Sequence, residues 1–158
     1  MKILVLSDSH GNGDAMLKAT ERESPDLILH LGDHDRDCAV IEREYPEIPL
    51  RSVRGNCDRM SVGVDCDEFL VAGKRFFMTH GHMYGVKSGM TSIIQDAVLR
   101  GADVLLFGHT HISHYCVEND MSIINPGSIS MFGKTYAVVE LENGAISCDI
   151  RKLKKLFS

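Results

Sequence analysis

Apolar residues in this chain come in short runs that stop abruptly at polar turns, and the period of the pattern changes along its length. Ile3 to Leu6 is a continuous β-branched and leucine run without polar alternation, the pattern of a strand buried on both faces. It ends at once in Ser-Asp-Ser-His-Gly. After the Gly11-Asn12-Gly13 turn, Asp14 is placed to cap a helix reaching about Arg22, and Pro25 separates that helix from the next apolar run, Leu27 to Leu31. These segments make a βαβ unit. A second helix over Cys38 to Tyr45 stops before Pro46, and Leu50 to Val53 predicts a third strand running into Arg54-Gly55-Asn56. Parallel pairing is expected in this half.

From Glu68 the pattern changes, because Phe69 to Val71 and Arg75 to Thr79 flank Ala72-Gly73-Lys74, a turn of hairpin type. A helix fits Lys87 to Arg100. Val104 to Phe107 predicts another buried strand, leading into Gly108-His109-Thr110-His111, and further strands are expected at Ser122 to Asn125, Thr135 to Glu140 and Ala145 to Ile150. Glu142-Asn143-Gly144 is the strongest hairpin turn in the chain. The expectation is one α/β domain over residues 1–158 with two sheets, the first half mainly parallel and the second more antiparallel. No internal repeat, low-complexity tract or linker interrupts it.

Composition narrows the function classes. At 158 residues and 44% hydrophobic, the chain can build one core and is too short for two ordinary domains. Lys and Arg total 17 against 22 Asp and Glu, a net charge of -5, which argues against a non-specific grip on nucleic-acid backbone. Bound divalent cations would weaken that argument by reversing the sign of a carboxylate-lined cleft. The five cysteines, Cys38, Cys57, Cys66, Cys116 and Cys148, form no CxxC pair and are odd in number, which suits reduced thiols in a cytoplasmic protein. The opening MKILVLSDSH has too short an apolar stretch for a signal sequence or a membrane span, so no membrane partner is expected. The basic stretch Arg151 to Lys155 reads as a solvated terminus. Methionines such as Met78, Met83, Met90, Met121 and Met131 read as core filler, with an exposed subset pointing to a homo-oligomer interface.

Metal-ligand side chains recur where the apolar runs end: Asp8 and His10 in SDSH, Asp33 in LGDH, Asn56 in RGNCD, His80 in THGH, and His109 and His111 in GHTH. In an extended segment residues i and i+2 share a face about 7 Å apart, so Asp8 and His10 can converge while Ser9 points away. The same spacing recurs in His109-Thr110-His111. Imidazole mixed with carboxylate suits Mn, Fe, Zn or Ni better than Ca or Mg. These seven donors exceed what one tetrahedral site needs, which makes two divalent ions the economical reading, with Asp33 the one carboxylate placed to bridge them. Gly32, Gly55, Gly81 and Gly108 let the backbone turn beside the ligands.

The ordered set SDSH, GD, GN, HGH, GHTH and NPGS (Asn125 to Ser128) resembles the calcineurin-like metallophosphoesterases, and within them the small single-domain YfcE-like phosphodiesterases. The resemblance covers essentially the whole chain. It implies a four-layer α/β/β/α sandwich of two mixed sheets. It also implies one metal held by Asp8, His10, Asp33 and His111 and a second by Asp33, Asn56, His80 and His109. Many members carry GNHD, whose His stabilises the transition state or protonates the leaving oxygen. Here that position is Cys57, similar to the GNCD of YfcE-like members. A thiol is a poorer proton donor than an imidazolium, and Asp58 should raise its pKa while nearby cations lower it.

Other residues stay open between chemical and structural roles. His82 is placed to contact substrate phosphate or to orient its loop, and His34 and Asp35 to line the cleft or lie on the surface. His30, inside an apolar strand, reads as a satisfied structural residue. Asn125 to Ser128 reads either as a source of donors near the metals or as a plain turn. The function expected is a dinuclear metal-dependent phosphodiesterase, with manganese the first choice of metal, hydrolysing small or activated phosphate esters by attack of metal-bound hydroxide. Asp33, Asn56, Cys57 and His82 are its catalytic candidates, together with backbone N–H groups near Asn56 and Gly127. Alternatives are a nuclease or cyclic-nucleotide phosphodiesterase, disfavoured by aromatics at only 6%, and a binding scaffold of the same fold, as in the retromer subunit of the superfamily.

Overall fold

In the computed structural model, which describes residues 1–154, the apolar runs become ten strands and three α-helices. In chain order these are β1 (Lys2–Leu6), α1 (Gly13–Glu23), β2 (Leu27–His30), α2 (Cys38–Glu44), β3 (Leu50–Ser52), β4 (Cys66–Val71), β5 (Lys74–Thr79), α3 (Thr91–Leu99), β6 (Val104–Leu106), β7 (His114–Glu118), β8 (Met121–Asn125), β9 (Thr135–Glu142) and β10 (Ala145–Lys152). They form two mixed five-stranded sheets, in the orders β10-β9-β1-β2-β3 and β4-β5-β6-β8-β7. Lys155, the end of the basic stretch, lies outside the described residues.

The layering follows from which strand residues are apolar. Ile3, Val5, Leu29, Ala137 and Val139 of the first sheet meet Phe76, Met78, Val104, Leu106 and Ile124 of the second in a fully buried inter-sheet core. The alternate residues Leu4, Leu6 and Ile28 pack outward against Met16 and Ala19 of α1 and Ile41 of α2. On the far side, Phe77, Leu105 and Ile123 receive Ile93 and Ala97 of α3. The result is the expected α/β/β/α stack. Strands buried on both faces cannot alternate with polar residues, which is why their sequences read as unbroken apolar runs.

Strand direction follows the expected division: the pairs among β1, β2 and β3 are parallel, while four of the six pairs that later strands make are antiparallel, the exceptions being β5 with β6 and β6 with β8. Each sheet is built on three parallel strands, β1, β2 and β3 in one and β5, β6 and β8 in the other, with antiparallel strands flanking them. The C-terminal hairpin β9-β10 returns to the first sheet, where β9 pairs antiparallel with β1. Such a long-range pairing leaves no mark on local periodicity. The edge strand β7 escaped the pattern because His114-Tyr115-Cys116-Val117-Glu118 is only weakly apolar. Its turn into β8, Asn119-Asp120, is a left-handed pair with φ of 49° and 63°, as two-residue hairpins require.

Two helices start elsewhere than expected. Asn12, not Asp14, caps α1 by accepting from the Ala15 N–H at 3.4 Å, and Asp14 instead adds negative charge to the first turn. Helix α3 begins at Thr91 and not at Lys87, because a 3-10 turn over His82–Tyr84 and positive φ at Gly85 and Gly89 keep the preceding segment from coiling. Met83 and Met131 are exposed, while Met78 and Met121 fill the core as expected. No helix among the described residues is long and apolar enough to cross a membrane.

Candidate metal centre

All six parallel strands, three from each sheet, point their C-terminal ends at one edge of the stack. The loops leaving those ends carry Asp8 and His10 (after β1), Asp33 (β2), Asn56 and Cys57 (β3), His80 and His82 (β5), His109 and His111 (β6), and Asn125 to Ser128 (β8). The carboxyl ends of parallel strands are where open α/β sheets place ligands. Asp8, His10 and His111 offer ligand atoms within 4.8 Å of one another, and so do Asp33, His80 and His109. Each triad holds three of the four residues that the family resemblance implied for one ion, with Asp33 falling in the second triad alone.

The backbone route to this convergence is not the extended chain expected for Asp8 and His10. Asp8, His10, Asp33, His34, His109 and His111 all have positive φ, between 45° and 69°. Left-handed non-glycine residues cost on the order of 1–3 kcal/mol each and persist where the surroundings over-determine them. Those surroundings are polar clamps. The Asp58 carboxylate, nearly buried, accepts from the N–H groups of Asp33 (2.9 Å), His34 (2.7 Å), Asp35 (3.2 Å) and Gly55 (2.8 Å), locking the β2 and β3 loops together. A Cβ at Gly55 would collide with Asp33, so only glycine allows this approach. Ser9 donates to Asp37 (2.7 Å) and pairs with His30 (3.0 Å), whose other nitrogen accepts from the Gly32 N–H at 3.1 Å. His30 is thus the satisfied structural residue that its apolar setting predicted.

The NPGS turn is more than a bare turn, because it braces its neighbours. The Asn125 amide donates to Gly108 O (3.1 Å) and Thr110 (3.0 Å), and Ser128 donates to Asp8 O (2.8 Å), so the turn braces two ligand loops. The Gly127 N–H is spent on Asn125 Oδ1 at 2.9 Å. It is therefore removed from the candidate charge-stabilising groups.

The ligand atoms face each other as a cation site requires. Asp8 Oδ2 accepts from Ser7 (2.6 Å) and from the His109 N–H (3.0 Å), whereas Asp8 Oδ1 is buried without a hydrogen-bond partner. Around that oxygen stand Nε2 of His111 at 3.2 Å, of His80 at 3.7 Å and of His10 at 4.0 Å. A buried, unpaired carboxylate oxygen is costly unless a cation meets it. His80 donates Nδ1–H to Leu31 O (2.8 Å), so its neutral form turns the Nε2 lone pair toward Asp33 Oδ1 (3.5 Å) and toward His109 Nδ1 (3.2 Å). Nitrogen ligands about 2.1 Å from one ion lie roughly 3 Å apart, so the residues fit a metal. Asp33 presents its two oxygens separately, Oδ1 toward His80 and Oδ2 toward His10 at 3.8 Å.

Protonation follows the same geometry. Burial pushes the Asp33 carboxyl up, but the protonated form of His80, whose Nε2–H faces Oδ1 at 3.5 Å, and the Cys57 N–H (2.9 Å) overcome it and hold the group well below the usual carboxylate range. Burial lowers His80, and its contacts with Asp33 and Asp8 outweigh that and raise it. His82 and His109 are lowered, first by burial and then by His80. Burial and then Asp33 raise the Cys57 thiol, with Asp58 a smaller contribution than expected.

Asn56 and Cys57 lie exposed on the β3 loop, with Asn56 Nδ2 3.7 Å from Cys57 Sγ. The His82 ring is 5.4 Å from that of His80 and 6.1 Å from that of His109, and its Nδ1 is buried without a partner. His34 lies 5.1 Å from His10, ring to ring, and with Asp35 lines a pocket beside the site. The clamping roles of Asp58 and Asp37 are not legible in the sequence. Their only local mark is an acidic residue close to a glycine or ligand turn.

Residues 1–144 match the model of the calcineurin-like phosphoesterase superfamily domain. The chain is 37% identical over 154 residues to the probable metallophosphoesterase YsnB of Bacillus subtilis, covering 92% of this chain and 87% of that protein. It is 29% identical over 159 residues to the phosphodiesterase YfcE of Escherichia coli, covering 83% and 80% of the two. A crystal structure of a predicted phosphoesterase from Streptococcus pneumoniae superposes with a TM-score of 0.81 at 26% identity, over 96% of this chain and 88% of that one.

Proposed function

The chain belongs to the calcineurin-like phosphoesterase superfamily, and from that membership we propose that it is a dinuclear metal-dependent phosphodiesterase acting on small or activated phosphate esters. The observation that carries this reading is the split of Asp33: each of its carboxylate oxygens faces a different imidazole cluster, at 3.5 Å and 3.8 Å. One ion would be held by Asp8, His10, Asp33 and His111, the other by Asp33, Asn56, His80 and His109. Bound there, divalent cations lower the pKa of water and draw charge from a phosphoryl group. Manganese is the metal we propose first, and mixed imidazole and carboxylate donors also admit Ni, Fe or Zn.

The chain's own residues have distinct duties in this reading. Asp33, anionic across the neutral range, keeps the two sites in register, and the Leu31 carbonyl fixes the ring of His80. His82, kept neutral by burial and by His80, faces the site and can donate a hydrogen bond to a phosphoryl oxygen. Cys57 keeps its proton and is the residue placed to pass one to a leaving oxygen. A thiol does this poorly, which favours esters with good leaving groups.

The test is hydrolysis of a chromogenic phosphodiester with added Mn or Ni, comparing wild type with Asp33→Asn. Metal-dependent turnover that falls by at least about 10³-fold in the variant, equivalent to several kcal/mol of transition-state stabilisation, is expected. Absence of metal-dependent turnover in the wild type, or an unaffected variant, leaves the binding-scaffold reading instead.

A further inference from the structure

Resting on the phosphodiesterase reading, a second binding site emerges from the arginines. Every other arginine among the described residues stands within 4.0 Å of a carboxylate, but Arg36 and Arg59 do not. Both line the same pocket, about 370 Å³ in volume, although they belong to different loops: Arg36 to the turn after β2 and Arg59 to the turn after β3. His34 and Cys57 form part of its wall. The ring of His34 is 5.1 Å from that of His10, and the Cys57 N–H is 2.9 Å from Asp33 Oδ1, so the pocket opens beside the metal-ligand clusters.

The carboxylates nearby do not consume the guanidinium groups. Asp58 is taken up by four backbone N–H groups, and Asp35 accepts from Ser61. His34 adds a ring nitrogen, Nδ1, that is buried and has no partner. In a chain of net charge -5, two forked cationic donors left unpaired on one pocket are a recognition element for a planar or tetrahedral oxyanion. The Asp58 clamp makes the arrangement firm, since it ties the loops that carry the two arginines.

We propose that this pocket binds a second anionic group, a phosphate or carboxylate, carried by the same ester whose scissile phosphoryl group lies against Asp33 and its neighbouring ligands. The substrate class is then a phosphodiester with an additional oxyanion, and Arg36 and Arg59 set that specificity.

The experiment compares two aryl phosphodiesters with the same leaving group, one with a neutral alkyl tail and one with a tail ending in phosphate or carboxylate. Metal-loaded wild type, Arg36→Gln, Arg59→Gln and the double variant are assayed on both. The ratio of kcat/KM for the anionic over the neutral ester is expected to fall about tenfold per arginine, mainly through KM. The two tail chemistries show whether phosphate or carboxylate is preferred. An unchanged ratio overturns the proposal. Should wild type hydrolyse neither ester, the phosphodiesterase reading fails separately. The pocket is then read by calorimetric binding of inorganic pyrophosphate to chelator-treated protein. Binding lost in the double variant upholds the pocket, and absence of binding to wild type refutes it.

Discussion

The two ligand clusters are built from the same residue types yet sit in different surroundings. Asp33, His80 and His109 form an inner cluster in which His80 is fully buried and pinned to Leu31 O, whereas Asp8, His10 and His111 form an outer one whose two imidazoles are exposed. Burial and a fixed tautomer pre-organise the inner donors, so ordering them on binding costs little. In the dinuclear reading the outer histidines would be ordered by the ion itself. An inner ion should therefore bind tightly and exchange slowly, and an outer one should be the more labile and the more accessible to substrate. In that reading Asp33 would join the two.

The most severe way to break this comparison is to remove one imidazole from each cluster. His80→Gln should abolish tight binding of the inner ion and, through Asp33, weaken the outer one, with activity down at least about 10³-fold. His10→Gln should lose only the outer ion and be partly restored by raised metal concentration. Metal content after dialysis, set beside activity across a Mn titration, separates them. Equal losses in both variants would remove the distinction.

A smaller effect is expected at Asp58, which touches no ligand atom directly but orders the loops of Asp33 and Gly55. Asp58→Asn should lower metal affinity about 10- to 100-fold at both clusters, as loss of an outer partner to a metal ligand does elsewhere. Retention of wild-type affinity would place loop order in the backbone alone.

The outer face of the site is where leaving-group chemistry should show. Cys57→His should raise rates on alkyl esters several-fold while changing those on aryl esters less, because an imidazolium protonates a poor leaving group better than a thiol does. Unchanged rates on both would remove Cys57 from the chemistry.

Smallest is a pH effect on stability. In metal-free protein the folded His80 pKa lies above its unfolded value of about 6.5, so its ion pair with Asp33 stabilises below that pH and is lost as pH rises through the folded value. The depressed Asp33 pKa stabilises above about 3.9, its unfolded value, and that contribution is constant over this range. Metal binding runs the other way, because it requires deprotonated imidazole. The difference in Tm between loaded and chelated protein should therefore widen as pH rises above about 6.5, and His80→Gln should flatten it.

The chemistry was more legible than the path by which the chain builds it. Unbroken apolar runs such as Ile3 to Leu6 and Val104 to Phe107 announce buried strands, and the candidate ligands stand at their ends, so a shared site is legible from residue type and order, while the division of the ligands between two ions comes only from the family resemblance. What local pattern could not carry was any feature fixed by distant partners. The return of β9 to pair with β1, the left-handed backbone at Asp8 and His109, and the four N–H groups gathered by Asp58 are all of this kind. The weakly apolar edge strand His114–Glu118 was hidden for the opposite reason, since an exposed strand needs little hydrophobicity.

The bridging role of Asp33 is tested most directly by anomalous diffraction at the manganese edge from crystals of the manganese-loaded protein. Two peaks about 3.5–4 Å apart, one against each Asp33 carboxylate oxygen, are predicted. A single peak, or two peaks of which one lies out of reach of Asp33, would contradict it.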